Sequence, residues 1–396
     1  MLAWLSMTPQ RRSTRQIRVG SVAIGGSAPV SIQSMTTTRT PDARATFDQV
    51  LALATAGADI VRVTVPDDES ADGIALLLWL MSSAARPVPI IADIHFRHDL
   101  ALKVIEYGVD GLRLNPGNIK DPRRIREVAR AARERGIPIR VGANAGSLHS
   151  EFLTKHGGPT PEALVESALW EVALLEEEGF TDMKISVKHS DAYQMIQAYR
   201  LLSERTDHPL HLGVTEAGTQ FAGSIKSAVG IGTLLAEGIG DTIRVSLAAD
   251  PVEEVKTGKA ILSALGLRRE GADIVACPTC GRVEGDVITI ATQVEEALAG
   301  LKAPVQVAVM GCLVNGPGEA READVGLALS KHGGTLFRKG ERVREVGPDE
   351  MVAALLAEAH AIAAELGETG EPSVVTPVAR APAPPDRRRL PVAGSH

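Results

Sequence analysis

The chain has 396 residues, of which 44% are apolar and only 3% aromatic, and this length is enough for two or three globular domains. Its formal net charge of −7 argues against bulk nucleic-acid binding, and its longest apolar run, Ile74 to Met81, is too short to cross a bilayer. We therefore expect a cytoplasmic protein with reduced thiols that binds neither nucleic acid nor membrane.

Residues 1–15 are interpreted as a disordered leader, because Arg11 and Arg12 follow the mildly apolar start, the reverse of a secretory signal. Beyond it, short runs rich in Val and Ile alternate with helical stretches. The predicted strands are Val30–Ser34, Asp59–Val65, Val88–Asp93, Gly111–Asn115, Ile137–Gly142, Asp182–Lys188, Leu210–Thr215 and Asp241–Leu247. The predicted helices lie near residues 46–56, 70–85, 98–107, 121–135, 161–178, 190–205, 219–237 and 251–265.

Eight strand–helix pairs of this total length are typical of a (β/α)8 TIM barrel, which we assign to residues 16–268. The alternative is a doubly wound open sheet, but no strand is followed by the G-x-G-x-x-G of a dinucleotide site. Beyond about residue 270 the rhythm changes. There we predict a small α+β domain over residues 269–366, with a helix at Val287–Leu298 and a strand at Val305–Met310. Residues 367–396, rich in Pro, Ala and Arg, are interpreted as a disordered tail.

Polar side chains recur in barrel strands that should be apolar on both faces. In five strands their spacing is two or four, so they share one face, and they lie toward the C-terminal strand ends, where barrels carry their active sites. These residues are Arg62 and Thr64; Arg113 and Asn115; Arg140 and Asn144; Lys184, Ser186 and Lys188; and Arg244 and Ser246. Asp93 and His95 end the third strand, and Glu216 ends the seventh.

Four arginines and two lysines around one barrel mouth, against two acids, predict an anion site. Guanidinium groups suit phosphate oxygens, and several together suit a diphosphate. The alternative is a network of buried ion pairs, which fits a pattern repeated in five strands less well, because barrel layers are usually filled by branched apolar side chains. His95 and His189 are interpreted as structural hydrogen-bonding residues at strand ends.

All three cysteines lie in two short motifs: Cys277 and Cys280 in C-P-T-C-G-R, and Cys312 in M-G-C-L-V-N-G-P-G-E, which ends at Glu319. Thiolates suit zinc or an iron–sulfur cluster, and three unligated thiols are a third possibility. A closed zinc site needs a fourth ligand, for which His332 is the candidate. A [4Fe-4S] cluster on three cysteines leaves one iron for an exchangeable oxygen ligand, for which Glu319 is well placed.

The two motifs closely resemble those of the bacterial 4-hydroxy-3-methylbut-2-enyl diphosphate synthase family, of the methylerythritol phosphate route to isoprenoids, and the resemblance covers roughly residues 15–366. It implies a [4Fe-4S] cluster ligated by Cys277, Cys280, Cys312 and Glu319. It also implies that 2-C-methyl-D-erythritol 2,4-cyclodiphosphate is held by Arg62, Arg113, Asn115, Arg140, Asn144, Lys188 and Ser246, with the acids Asp93 and Glu216 near the reacting carbons. Lys184 and Arg244 are added to this set from strand parity.

The resemblance further implies an oxidoreductase that opens the substrate ring by a two-electron reduction with loss of water. The product is (E)-4-hydroxy-3-methylbut-2-enyl diphosphate, the electron donor is reduced flavodoxin or ferredoxin, and Glu216 and Asp93 position or protonate the departing hydroxyl. It implies a homodimer in which one subunit's cluster domain covers the other's barrel. Two alternatives stay open: a barrel lyase for a phosphorylated substrate with a structural zinc domain, and a non-enzymatic metal-binding module.

Overall fold

The computed structural model describes residues 10–115, 118–119, 121–268 and 270–367, and the chain divides into two compact units after residue 269. This division lies one residue from the predicted domain boundary. Residues 1–9 of the predicted leader and 368–396 of the predicted tail lie outside the described residues. None of the described helices is both long enough and apolar enough to cross a membrane.

The first unit is a closed parallel barrel preceded by a small antiparallel hairpin, β1 (Ile17–Val19) and β2 (Val22–Ile24). Neighbouring barrel strands pair in chain order, the last pairs with the first, and a parallel bridge between Ile185 and Leu210 joins the sixth to the seventh. The strands are β3 (Ser31–Met35), β4 (Ile60–Thr64), β5 (Ile90–Asp93), β6 (Gly111–Arg113), β7 (Ile139–Asn144), β8 (Met183–Lys188), β9 (His211–Leu212) and β10 (Thr242–Ile243). The predicted (β/α)8 fold is confirmed, and the open sheet is wrong because the bridge closes the ring.

Eight helices alternate with these strands close to their predicted positions. A ninth, α5, follows a 3-10 turn at Ala145–Ser147 and was not predicted. The helices are α1 (Ala43–Ala56), α2 (Asp68–Ser82), α3 (His98–Tyr107), α4 (Pro122–Arg135), α5 (Ser150–His156), α6 (Pro161–Glu176), α7 (Ala192–Ser203), α8 (Gln220–Ala236) and α9 (Pro251–Ala264). Aspartates cap several of them: the side chains of Asp42 and Asp191 accept backbone N–H groups of the first turns of α1 and α7, which satisfies donors that a helix leaves unpaired.

Three further aspartates fix the beginnings of barrel strands. Asp59, Asp110 and Asp241 each directly precede a strand, and each accepts a backbone N–H of the neighbouring strand at 2.7–2.8 Å. Oδ1 of Asp241 also accepts a hydrogen bond from the guanidinium of Arg11, at 2.7 Å. Each carboxylate thus satisfies a backbone donor at the N-terminal rim, where a strand begins.

Residues 10–15 pack against the barrel and depart from the disorder expected for the leader. The backbone N–H of Arg12 donates to Gly238 at 2.9 Å, its guanidinium donates to the His208 carbonyl at 2.8 Å, and the backbone N–H of Arg15 donates to Asp207 at 2.8 Å. These partners lie about two hundred positions along the chain, so local sequence patterns carry no signal of them.

The interior of the barrel is apolar only at its N-terminal end. There Ile17, Val19 and Ile24 of the hairpin pack against Ile60 and Ile91 of the barrel strands. Full burial of each such side chain is worth about 1.5–3 kcal/mol. The hairpin therefore closes this end, and the interior opens toward the C-terminal ends of the strands.

The second unit is a five-stranded mixed sheet with helices on both faces. Strands β11 (Ala272–Ala276), β12 (Val305–Met310) and β13 (Val325–Ser330) are parallel, and β14 (Gly333–Arg338) and β15 (Glu341–Val346) follow antiparallel. The helices are α10 (Val287–Leu298), α11 (Gly316–Glu322) and α12 (Met351–Glu365). On one face, side chains of α10 and α12, including Val294 and Leu355, form a core with the sheet. On the other, Ala320 of α11 packs with Met310 and Phe337.

Candidate active site

The barrel brings the predicted cations together in its interior. Asp93, Arg113, Arg140 and Lys184 are successive register partners across β5, β6, β7 and β8, and all four are at most 5% exposed. The charges of Arg62, Lys188 and Arg244 act on this row as well. The structure thus brings the six cations predicted from strand parity together in one barrel interior.

Two carboxylates partner three of the four arginines. Asp93 lies 3.4 Å from Nε of Arg62 and 3.3 Å from a terminal nitrogen of Arg113. Burial opposes ionisation of Asp93, but these two guanidiniums outweigh it and keep the pKa of that carboxyl below its ordinary value. Arg244 donates to both oxygens of Glu254 on α9 at 3.3 Å. Arg62, Arg113 and Arg244 therefore form the buried ion pairs that the alternative interpretation predicted.

Among the residues that the structure describes, no carboxylate forms an ion pair with the remaining cations. Arg140 donates to the Ser186 hydroxyl, and Nζ of Lys184 lies 3.5 Å from Oε1 of Gln33. Burial, reinforced by neighbouring positive charges, lowers the pKa of Arg140 and Lys188 well below the ordinary values and that of Lys184 to about 7. The six basic groups outnumber Asp93 and Glu254, the carboxylates in ion pairs with them, and a multivalent anion would favour the charged forms of the remaining groups.

The arginines of the barrel interior also have N–H groups that donate no hydrogen bond to another described residue. Among the described residues, the buried Nε atoms of Arg113, Arg140 and Arg244 have no hydrogen-bond partner, neither has Oδ1 of Asn115, and Nε of Arg62 has only its 3.4 Å ion-pair contact with Asp93. Buried polar atoms are nearly always paired in folded proteins. Their concentration at the barrel mouth favours a polar ligand there.

Two glycines that were not predicted to matter make room for these side chains. A Cβ on Gly142 would lie 2.0 Å from Oγ of Ser186, and one on Gly213 would lie 2.8 Å from Nζ of Lys188. Glycine inside a strand marks a close approach of this kind, so the signal was present in the sequence. Glu254 carried no comparable signal, because it lies on a helix ten residues from its arginine.

The other predicted barrel residues lie near the mouth with different exposures. Asn115 is buried at the end of β6, Asn144 is half-buried and in register with Lys188, and Ser246 is half-buried beyond β10. Glu216 is exposed in the loop after β9 and has φ of 52°. A left-handed backbone is costly for a non-glycine residue and is concentrated at functional sites.

The two histidines differ in their surroundings. Nδ1 of His95 lies 3.8 Å from Asp93, and burial together with nearby arginines lowers the pKa of His95 despite that carboxylate. His189 accepts the backbone N–H of Asp191 at 2.8 Å, the structural role expected for it at a strand end.

In the second unit, the cysteines lie at one edge of the sheet. Cys277 follows β11 and Cys312 lies two residues after β12, and these strands are adjacent and parallel. The backbone N–H of Gly311 donates to Sγ of Cys277 at 3.1 Å. Cys280 is exposed and follows Thr279, whose φ of 44° is left-handed. The tight turns predicted from Gly and Pro therefore present the thiols at this edge.

Backbone donors favour the thiolate form at this edge. The N–H groups of Val314 and Asn315 lower the pKa of Cys312, and the charge of Arg282 adds to the effect. Such N–H groups also stabilise sulfur ligands of iron–sulfur clusters. Glu319 is exposed in the first turn of α11, whereas the sequence predicted only a turn before it. Pro317 fits the first turn of a helix, where its missing N–H costs nothing.

Within the described part of the chain, no three His, Cys, Asp or Glu side chains lie close enough together to hold one metal ion. A tetrahedral zinc site needs its ligand atoms within about 4 Å of one another, given Zn–S distances of about 2.3 Å. A four-iron cluster places its ligands on separate iron atoms, and three thiols at neighbouring turns, with N–H donors toward sulfur, fit that kind of group.

A closed barrel with a cationic interior, and a separate domain with three thiols at one sheet edge, define a class: a (β/α)8-barrel enzyme for a polyanionic substrate that carries a metal- or cluster-binding domain. Comparison with known families makes this specific. Residues 14–259 match the GcpE TIM-barrel domain, and residues 273–361 match the GcpE protein C-terminal domain.

Curated relatives agree over nearly the whole chain. The chain is 57% identical to a protein of Geobacter sulfurreducens over 355 residues, which are 90% of this chain and 99% of the relative. It is 55% identical to proteins of Frankia alni and Salinispora tropica, with 92% and 90% of this chain and 94% and 90% of those relatives covered. All three are named 4-hydroxy-3-methylbut-2-en-1-yl diphosphate synthase (flavodoxin).

The chain belongs to the GcpE family of 4-hydroxy-3-methylbut-2-enyl diphosphate synthases. The predicted family and the predicted enzyme class, an oxidoreductase, are confirmed, and the zinc-stapled lyase is not favoured. Membership implies an iron–sulfur enzyme of the methylerythritol phosphate route.

Proposed function

We propose that the barrel mouth binds 2-C-methyl-D-erythritol 2,4-cyclodiphosphate and that the protein reduces and dehydrates it to (E)-4-hydroxy-3-methylbut-2-enyl diphosphate. One observation carries the proposal: Arg140, Lys184 and Lys188 are buried in the barrel without a carboxylate in an ion pair with any of them, among the described residues. A diphosphate supplies the negative charge that this interior lacks.

The cations divide into two groups by their partners. Arg140 and Lys188 take part in no ion pair among the described residues and are available to the diphosphate, whereas Arg62 and Arg113 pair with Asp93 and Arg244 pairs with Glu254. Together they would stabilise the negative charge that develops on the phosphate oxygen as the ring opens. The proposed binding residues are Arg62, Arg113, Asn115, Arg140, Asn144, Lys184, Lys188, Arg244 and Ser246.

The two acids take different roles in this proposal. Asp93 is held ionised by Arg62 and Arg113, so it orients these guanidiniums and the substrate and does not donate a proton. Glu216 is exposed at the mouth loop, where it can exchange protons with water. It is therefore the proposed source of the proton for the departing hydroxyl.

The second unit is proposed to hold a [4Fe-4S] cluster through Cys277, Cys280, Cys312 and Glu319. The lowered pKa of Cys312 and the N–H donor toward Cys277 support a thiolate donor set. When bound, such a cluster supplies the two electrons one at a time and a Lewis-acidic iron. Reduced flavodoxin, which appears in the relatives' names, or ferredoxin is the proposed donor, and the cytoplasm, where thiols stay reduced, is the proposed location.

We further propose that the active form is a homodimer in which the cluster domain of one subunit covers the barrel mouth of the other. The substrate site and the cysteine edge belong to two separate compact units of the chain, and reduction requires them to meet. Closure over the mouth would also exclude water, which strengthens each ionic contact with the diphosphate.

The test uses full-length protein reconstituted anaerobically with iron and sulfide. Visible and electron paramagnetic resonance spectra report the cluster, and phosphorus NMR follows the cyclic diphosphate after addition of dithionite. Conversion of the cyclic to a linear allylic diphosphate by a brown protein is expected. A colourless protein that holds one zinc and leaves the substrate unchanged would contradict the proposal. That result would favour the alternative of a barrel lyase with a structural zinc domain.

A further inference from the structure

Lys184 is the most buried of the six barrel cations. It is 1% exposed and lies on β8 four residues before Lys188, roughly 13 Å along the strand at the rise of extended backbone. Its ammonium nitrogen is 3.5 Å from Oε1 of Gln33 on β3, a long contact, and Arg140 is its register partner on β7.

The charges that face Lys184 are nearly all positive. The charges of Arg140 and Arg62 act on Lys184 directly. Lys188 lies on the same strand, and the uncharged imidazole of His211 lies on the next one. Asp93 forms ion pairs with Arg62 and Arg113, and Glu254 forms one with Arg244. The negative charge of Glu171 acts on Arg113. Among the described residues, Lys184 takes part in no ion pair. The nearby Tyr199 hydroxyl is already used, because it donates a hydrogen bond to the carbonyl of His211.

This environment opposes a charge on Lys184. Burial first, and then the charges of Arg140 and Arg62, lower the pKa of Lys184 to about 7. His211, fully buried beside it, is held neutral by the same causes. Near neutral pH the unliganded barrel therefore carries Lys184 partly as the neutral amine.

We propose that Lys184 is a positioning residue that takes up one proton when a diphosphate enters the barrel mouth. The inference rests on the proposed substrate site. The diphosphate offsets the charges of Arg140 and Arg62, so the ammonium form of Lys184 becomes favourable and a proton moves from solvent to Nζ. The charged amine then strengthens its contact with Gln33 and, from the register position next to Arg140, holds that guanidinium in place for the ligand.

Proton uptake on binding has a definite pH dependence. A ligand that binds with uptake of a proton binds more weakly as pH rises above the pKa of the free group, by up to about tenfold per pH unit. Affinity for a diphosphate should therefore fall between about pH 7 and the raised pKa of the complex. Lys184→Met keeps the bulk of the side chain but removes this step, so its affinity should be flatter over the same range.

The experiment is isothermal titration calorimetry of full-length reconstituted protein at pH 8, in buffers of different ionisation enthalpy. Inorganic pyrophosphate and the cyclic diphosphate are titrated separately, and the dependence of the observed heat on the buffer counts the protons. Protonation of the ligand itself is common to all variants. Up to one extra proton is expected for the wild type and for Lys226→Met on the outer helix α8, and none for Lys184→Met.

The outcomes separate this inference from the proposed function. Pyrophosphate binding with uptake that depends on Lys184, but no binding of the cyclic diphosphate, supports the inference and contradicts the proposed substrate. Equal uptake in Lys184→Met and wild type overturns the inference, as does uptake that is lost in His211→Asn instead. Absence of uptake with either ligand in the wild type overturns it as well.

Thermal unfolding of the unliganded variant provides a second measurement. The unfolded chain keeps Lys184 protonated up to its ordinary pKa near 10.4, while the folded chain releases that proton near pH 7. The folded state binds fewer protons in this window, so wild-type stability rises with pH across it. Lys184→Met should raise Tm most at pH 7 and least at pH 10, and a variant with lower Tm than wild type at pH 7 would contradict the proposal.

Discussion

At the scale of single residues, Asp93 determines how much free positive charge the barrel mouth carries. It is the buried acid between Arg62 and Arg113, and its pKa is lowered because these charges outweigh its burial. A group of this kind stabilises the fold above its unfolded pKa, and the contribution is lost as pH falls through its folded pKa.

Asp93→Asn should therefore destabilise the unliganded protein at pH 7 by about 3–5 kcal/mol, because two buried guanidiniums lose their counter-charge. The difference from wild type should shrink below about pH 4, where the wild-type carboxyl becomes protonated in the unfolded chain. Urea unfolding at several pH values measures it. Asp72→Asn, which removes an exposed acid paired with Lys103, is the matched control and should leave the free energy of unfolding nearly unchanged, because solvent screens an exposed ion pair.

Arg140 differs from the other three barrel arginines because its side chain donates to a neutral group, the Ser186 hydroxyl, and forms no ion pair among the described residues. Arg140→Met should raise KM for the cyclic diphosphate, with kcat/KM reduced about 10- to 100-fold, the loss expected for one or two charge-assisted hydrogen bonds. The unliganded variant should be at least as stable as wild type, because the substitution removes a buried charge. Steady-state kinetics and thermal unfolding measure both.

Arg130→Met on the exposed face of α4 is the control for Arg140→Met. It removes the same charge away from the barrel mouth and should leave KM unchanged. An unaltered KM in Arg140→Met, combined with lower stability, would show that Arg140 belongs to a structural network instead of the binding site.

Strand parity was sufficient to predict from the sequence that these cations share the barrel interior, because the period of two in a strand leaves no freedom in which face a residue takes. Their partners were not predictable in the same way. Glu254 reaches Arg244 from a helix, and Gln33 reaches Lys184 from across the barrel. Such pairings depend on how the barrel closes, which the local pattern does not encode.

At the scale of elements, one glycine in β7 and one directly after β9 leave space for polar and charged neighbours. Gly142→Ala would place a methyl carbon 2.0 Å from Oγ and 2.8 Å from the backbone oxygen of Ser186. Because the obstacle includes backbone, relief requires β7 and β8 to shift. We expect a loss of about 1–3 kcal/mol in stability and weaker pyrophosphate binding, measured by urea unfolding and calorimetry.

Gly232→Ala is the matched control for the strand glycine. It lies inside α8 with no atom within 4 Å of the added carbon, so the substitution should stabilise the protein by about 0.5–1 kcal/mol through helix propensity. If both substitutions had the same effect, the close packing at Gly142 would not be a constraint on the site.

Elements with strong periodicity were predicted nearly to the residue, whereas short or unusual ones were missed. Helix α10 and strand β12 match their predicted bounds. Helix α11 was missed because G-P-G is typical of a turn, although Pro317 suits a helix start. Strand β15 was missed because five of its six residues are exposed and mostly charged, a composition that protects a sheet edge but lacks apolar alternation.

At the scale of the whole molecule, the buried cations and the thiols belong to two separate units of the chain, each with its own core. Charged side chains occupy positions in the barrel interior that apolar side chains usually fill. The β1–β2 hairpin covers the N-terminal end of the barrel with apolar residues. Destabilising a site in this way is common where function requires it. The family and its motifs were predictable from the sequence, but the partnership between units of different subunits stays a proposal.

That partnership can be tested with two defective chains. Arg140→Met impairs the barrel, and Cys312→Ser should lose most of the iron while the barrel stays intact. If the barrel of one subunit works with the cluster of the other, a heterodimer of these variants contains one site in which both parts are wild type. Co-expressed chains with different affinity tags, purified through both tags, should recover up to about half of the wild-type activity per dimer.

The two homodimeric variants serve as controls, and iron analysis checks that Cys312→Ser is deficient. If each barrel instead works with the cluster domain of its own chain, every site in the heterodimer carries one defect, and activity should not exceed that of the variants alone. Mixing the purified homodimers without subunit exchange should give no recovery, so a gain on co-expression alone would assign the active site to two subunits.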